Sequence, residues 1–245
     1  MADFFPQFTP TWHNATYPAL TPTPSAANKT VLITGGGRGI GASIASSFLA
    51  ASAAHIILLG RSLPHLQSVR DDLVSRGSKS VIHIFPTDIT SASAVEAAFA
   101  SIRAECPPID ILVSNAGYLP AVTPAVAADV AEWWRGFEVN VLGTFLVVKG
   151  FLGHKAEKSV LVNVSTGVAH VPAIAGGSGY GTSKAAGVRF LEFVAAENPE
   201  VRVVSLHPGV VETEMYAKSG MVMPNDDGES CASLVSCFCY CGWAG

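Results

Sequence analysis

From residue 30 to residue 206 the chain alternates short apolar runs with longer stretches in which apolar residues recur every three or four positions. The short runs lie at 30–34, 55–59, 81–85, 109–114, 159–164 and 201–206. Most of their consecutive positions are apolar, so each predicts a strand covered on both faces. The stretches between them predict helices at 39–52, 64–76, 91–104, 126–152 (long enough for two helices) and 178–197. Parallel neighbours need crossover connections, and helices supply them. The expected fold is α/β, a doubly wound parallel sheet of Rossmann type, in a single domain over residues 29–223.

The flanks differ from this body. Residues 1–28 form a Pro-rich arm with Pro6, Pro10, Pro18, Pro22 and Pro24. Residues 224–245 form an atypical tail with Cys231, Cys237, Cys239 and Cys241, which leaves only Cys106 of the 5 cysteines in the body. The tail spacing gives no pair of CxxC knuckles and no following histidine, so no metal site is expected.

Composition narrows the function classes. With 49% hydrophobic and 14% charged residues, the chain is not a disordered polyelectrolyte. A net charge of −4 supplies no basic footprint, so neither nucleic acid nor an anionic membrane is an expected partner. Residues 42–60 lack Asp, Glu, Lys and Arg, but their pattern switches midway from helical to strand-like, which argues against a membrane span. The first 28 residues lack a basic start and apolar segment, so no secretory leader is expected and a reduced, cytoplasmic setting follows.

The first strand runs into Thr34-Gly-Gly-Gly-Arg-Gly-Ile-Gly41 and then a helix. Glycines there let the backbone turn tightly and approach a pyrophosphate, whose charge sits at the helix N-terminus. A nucleotide P-loop is excluded because Ala42 stands where its lysine is required. A plain glycine-rich turn is the alternative. The second strand ends Leu59-Gly60-Arg61-Ser62, with no carboxylate for ribose hydroxyls. Arg38 and Arg61 suit a 2′-phosphate, so NADP is the expected cofactor rather than NAD. The alternative for Arg61 is a solvated strand end.

Tyr180 and Lys184 are four residues apart at a predicted helix start, so they share a face. A cation beside a phenol favours its ionised form, which a general base at neutral pH requires. Upstream, Ser165 and Thr166 put a hydroxyl at the carboxyl end of a predicted strand, where ligands bind in open α/β sheets.

Over about residues 30–224 these motifs resemble the short-chain dehydrogenase/reductase family, in its compact branch. The glycine loop, Asn115-Ala-Gly117, Asn140, the Tyr180–Lys184 pair and the segment 208–213 carry the resemblance, in family order. It implies hydride transfer between a nicotinamide and a carbonyl or secondary alcohol. It also implies a catalytic set of Asn140, Ser165 or Thr166, Tyr180 and Lys184. Tyr180 would move the hydroxyl proton, Lys184 would hold the ribose and lower the tyrosine pKa, and Asn140 would fix a water. Ile33, Gly35, Gly39, Ile40 and Gly41 would join Arg38 and Arg61 at the cofactor. Asp88 would hold the adenine; Asn115, Gly117, Pro208, Val211 and Thr213 would complete the binding set with Tyr180 and Lys184. The family shows two serines after the fifth strand where this chain has Ser165-Thr166, so either hydroxyl remains a candidate.

The family also continues with a seventh strand that the tail does not supply. An abrupt composition shift of this kind is what an altered reading frame or retained intron produces. It leaves a homo-oligomer in question and keeps an alternative open, a catalytically impaired NAD(P)-binding protein lacking its closing strand. Ser178 suits a helix N-cap, and of Trp133 and Trp134 one is expected in the core and the other at a wall or interface. Tyr118, Met215, Tyr216, Met221 and Met223 fall on loops over the expected site, which suggests a small apolar or aromatic substrate.

Overall fold

The computed structural model describes residues 25–77, 79–209 and 211–219. The six apolar runs form β1 (Thr30–Thr34), β2 (His55–Gly60), β3 (Val81–Pro86), β4 (Ile109–Ser114), β5 (Lys155–Val164) and β6 (Val201–Leu206). Helices α1 (Gly39–Ala50), α2 (Leu63–Ser75) and α3 (Ala92–Glu105) connect the first four strands. Further along lie α4 (Val130–Phe137), α5 (Thr144–Leu152), α6 (Ser178–Glu197) and the short α7 (Glu214–Ser219). All strand pairs are parallel, in the order β3-β2-β1-β4-β5-β6. This is the expected doubly wound Rossmann-type sheet in one domain.

Strand alternation divides the core into two layers. Val31 and Ile33 of β1 pack with Ile44 and Phe48 of α1 and Leu66 of α2. Leu32, between them in sequence, faces the other way, toward Phe99 of α3, Phe151 of α5 and Leu191 of α6. Each fully buried side chain of this size contributes about 1.5–3 kcal/mol, so covering both faces outweighs the strands' loss of solvation. Local signals set the helix starts. Ser62, Ser91 and Asp129 each accept a first-turn backbone N–H, at the starts of α2, α3 and α4.

The structure corrects three local expectations. β5 begins at Lys155 rather than residue 159, because Lys155 pairs with Ile109 before an irregularity between Ile109 and Ile111 shifts the register. The stretch at 126–152 holds two α-helices as expected, but the first begins only at Val130 and no break separates them. After a 3₁₀ turn at Ala125–Ala127, α4 passes through a π-helical turn at Glu138–Gly143 directly into α5. Such turns insert where a function demands an altered backbone, and this one carries Asn140. Ser178 is not an N-cap: Gly177 takes that position without a side-chain bond, and Ser178 Oγ accepts from Trp133 Nε1 at 3.1 Å.

Residues 42–60 divide into α1 and β2, and no described helix is long and apolar enough to cross a membrane. Among the described residues β6 is a sheet edge. The Pro-rich arm, the tail and the expected loss of a seventh strand lie outside the described residues, apart from the last few residues of the arm.

Candidate active site

The strand order reverses direction between β1 and β4, and loops leaving the two strands there separate to open a crevice. A cleft of about 750 Å³ lies at this point, bounded by loops that follow all six strands. The glycine loop forms its first wall. Gly35 adopts φ +67°, a left-handed conformation that glycine enters without strain. A Cβ on Gly41 would stand 2.2 Å from the Gly35 carbonyl oxygen, so α1 starts this close to β1 only because residue 41 has no side chain. Arg38, the N-cap residue of α1, makes no side-chain cap, and the helix N-terminus is left facing the cleft as an anion-attracting dipole. Thr34 Oγ1 accepts the N–H groups of Asn115 (3.0 Å) and Ala116 (2.9 Å), and Asn115 Nδ2 donates to Thr34 O at 2.9 Å. These bonds lock the loops after β1 and β4 together. The cradle fits the pyrophosphate of a dinucleotide.

At one end of the cleft Arg61 and Asp88 stand at the tips of β2 and β3. Burial opposes the Asp88 charge. Bonds from Thr90 N (3.0 Å) and Thr90 Oγ1 (2.8 Å), with the Arg135 and Arg61 charges, still hold its carboxyl below the usual range. Arg38 reaches across the cleft mouth to an ion pair with Glu214.

At the other end α6 presents Tyr180 and Lys184. Lys184 is buried, and its Nζ donates to Val164 O at 2.9 Å and lies 6.0 Å from the centre of the Tyr180 ring. Burial pulls its ammonium down to about 8. Burial also pushes the Tyr180 phenol up, and a hydrogen bond with the Thr166 side chain offsets part of that rise. The expectation that Lys184 draws the tyrosine down therefore is not met by the chain itself, in which desolvation dominates. Ser165 lines the cleft, but its Oγ is buried and has no hydrogen-bond partner.

Asn140 is buried behind this wall. Its Nδ2 donates to Tyr118 O and Ser183 Oγ, both at 2.9 Å, and its Oδ1 accepts from Tyr118 N at 2.8 Å. Its side chain thus grips the chain after β4.

The order of these features along the chain is matched by a family. Residues 29–221 fit the family model described as short chain dehydrogenase. The chain belongs to the short-chain dehydrogenase family. It is 33% identical over 215 residues to the short chain dehydrogenase/reductase AacuD of Aspergillus aculeatus, covering 86% of this chain and 74% of the relative. It is likewise 33% identical over 217 residues to the short chain dehydrogenase pigC of Monascus ruber, covering 84% and 71%. An archaeal alcohol dehydrogenase from Thermococcus sibiricus, solved with 5-hydroxy-NADP, superposes with TM-score 0.76 at 27% identity, over 87% of this chain and 89% of that one. A short chain dehydrogenase from Escherichia coli, solved with NADPH, superposes with TM-score 0.81 at 25% identity, over 89% and 92%. The chain is accordingly a nicotinamide-dependent oxidoreductase by family.

In this short-chain dehydrogenase most of the expected positions converge on the cleft. Gly35, Arg38, Gly39, Ile40, Arg61, Asp88, Asn115, Gly117, Ser165, Tyr180, Lys184, Pro208 and Thr213 all line it. Gly41, Asn140 and Thr166 stand behind its wall, and Ile33 belongs to the core layer facing α1, because its β1 position points into that layer. Val211 is not among the lining residues. Met221 and Met223 lie outside the described residues, whereas Tyr118 and Met215 do line the cleft. Neither Trp133 nor Trp134 is fully buried; both rings pack on Phe137, and Trp134 is exposed.

Sequence reasoning missed a polar cluster that ties α7 to the rest of the short-chain dehydrogenase. Tyr118 Oη donates to Glu132 Oε2 at 2.7 Å, and Lys218 Nζ donates to Tyr118 Oη at 3.1 Å and Glu132 Oε1 at 3.0 Å. It also missed Glu214 and Ser183. No local motif marks any of these residues.

Proposed function

We propose that this short-chain dehydrogenase is an NADP-dependent carbonyl reductase or secondary-alcohol dehydrogenase for a small apolar or aromatic substrate. The observation that carries the reading is one cleft holding both ends of such a reaction. Tyr180 and Lys184 line one end, with Thr166 behind the wall beside the Tyr180 phenol, and Arg38 and Arg61 stand at the other with no carboxylate at the end of β2. Support also comes from the two related structures solved with NADPH and 5-hydroxy-NADP.

Bound NADPH would supply the hydride to a carbonyl carbon. Tyr180 Oη delivers the proton to the carbonyl oxygen, and in the reverse direction removes it from the alcohol. The Thr166 hydroxyl, beside the phenol, directs its one proton to the Tyr180 oxygen and steadies the negative charge that develops there as the proton leaves. The buried Lys184 ammonium, which donates to the Val164 carbonyl, is placed to hold ribose hydroxyls. Asn140 keeps Gly117 and Tyr118 against the cleft. Arg38 and Arg61 would hold the 2′-phosphate of such a cofactor. Tyr118 and Met215 give the substrate end its apolar and aromatic surface. The reading includes a cytoplasmic setting.

NADPH oxidation across a panel of aliphatic and aryl ketones tests this reading, with NADH in parallel and thermal shift for each cofactor. Turnover with NADPH, and loss of the NADPH preference in the double variant R38A/R61A, is the expected result. A cofactor-induced shift with no turnover on any ketone or alcohol would overturn it in favour of a catalytically impaired dinucleotide-binding protein.

A further inference from the structure

Arg38 is already paired. Its guanidinium meets the carboxylate of Glu214, a residue 176 positions later in the chain, across the mouth of the cleft. The segment carrying Glu214 lies directly on the glycine loop: Thr213 Cγ2 is 3.3 Å from where a Cβ on Gly39 would stand. We propose that Glu214 is a cofactor-specificity residue, an internal anion that the 2′-phosphate of NADP must displace from Arg38. This rests on the reading above that Arg38 receives that phosphate.

The pair is built to exchange. Both side chains are largely exposed, at 55% and 73%, so water and salt screen their attraction and an incoming dianion competes well for the arginine. Once the phosphate takes Arg38, the Glu214 carboxylate is left beside a like charge and turns toward solvent. Glu214 is the first residue of α7, whose last turn is held separately by Lys218 on Glu132 and Tyr118. Release at Arg38 therefore frees one end of α7 while the other stays anchored. Met215, next to Glu214, lines the cleft, so the same exchange reaches the surface offered to substrate. An unphosphorylated cofactor has no group to make the exchange and leaves the Arg38–Glu214 tether in place.

Calorimetric titration of the full chain with 2′,5′-ADP and with 5′-ADP tests the proposal, on wild type, E214Q, R38A and R38A/E214Q. E214Q is expected to bind 2′,5′-ADP about three- to tenfold more tightly at low salt, with 5′-ADP changed by less than about twofold. The gain should disappear in the R38A background and at about 1 M salt. E214Q and wild type binding 2′,5′-ADP equally, while R38A weakens it, would overturn the competition and leave the Arg38 reading standing. If R38A leaves 2′,5′-ADP binding untouched, Arg38 does not receive the phosphate, and both fall. A gain in E214Q that persists in R38A/E214Q would overturn the exchange as well, since it would then act without the arginine.

Discussion

The Thr166 side chain sits beside the Tyr180 phenol and offsets part of the rise that burial imposes on it, whereas the Ser165 hydroxyl one residue earlier is buried without a partner among the described residues. Adjacent residues leaving an extended strand point to opposite sides, so only one of two neighbouring hydroxyls can face α6. T166A should lower kcat by about 10²–10³-fold, the usual loss for a donor at developing oxyanion charge. S165A should cost much less. Steady-state kinetics on the two single variants decide it, and a larger loss in S165A would reverse the assignment.

Tyr180 is the proton donor in this reading, so Y180F should lower turnover by about 10²–10⁴-fold while keeping cofactor affinity. Fluorescence titration with NADPH beside the rate measurement separates the two. A variant that loses binding in step with rate would mean that the phenol acts in holding the cofactor instead.

Lys184 titrates at about 8 in the fold, against about 10.4 in an unfolded chain. The folded pKa is the lower one, so between these values the unfolded state binds more protons and stability rises with pH. The burial cost is present in full below pH 8 and is relieved as the ammonium deprotonates. Urea unfolding from pH 7 to 10 should show wild type gaining about 2–3 kcal/mol relative to K184M. A constant difference between the two across that window would contradict the shift.

Asn140 spends its side chain on Tyr118 N, Tyr118 O and Ser183 Oγ. N140A removes these bonds, leaving Tyr118 N and O short of a partner while Ser183 Oγ keeps its bond to Tyr180 O, and should destabilise the protein by about 1–3 kcal/mol. Activity should fall further than stability alone explains, because Gly117 and Tyr118 line the cleft. Denaturant unfolding and rate assays at a temperature where N140A is fully folded make both comparisons.

Gly41→Ala would put a methyl group 2.2 Å from the Gly35 carbonyl oxygen. That contact is with backbone, which cannot swing away as a side chain does, so the glycine loop must open. Thermal shift should show a weakened or absent response to NADPH in G41A, and an unchanged response would mean the loop does not carry the pyrophosphate.

Much of this protein was legible along the chain because the relevant forces are local. Consecutive apolar residues specify a strand buried on both faces, and the six runs appear as six strands in the expected parallel sheet. Helix starts were less legible: Ser178 is not the cap its place suggested, while Ser62, Ser91 and Asp129, which no reading singled out, cap α2, α3 and α4. The glycine loop announces itself because only glycine tolerates the backbone approach at Gly35 and Gly41. Tyr180 and Lys184 share a helix face by spacing alone.

Tertiary structure decided what depends on distant partners. Whether Ser165 or Thr166 meets Tyr180 follows from how β5 leaves the sheet toward α6. The single helical run through the π turn at Asn140 follows from a register that packing sets and no residue type marks. Desolvation raises Tyr180 and lowers Lys184, and it is a property of everything packed around them. The Arg38–Glu214 pair joins residues 176 positions apart, so no spacing rule reaches it. Sequence by itself determined the elements and the chemistry available, since those rest on neighbours in the chain. The fold alone determined which groups meet and at what charge, since those rest on neighbours in space.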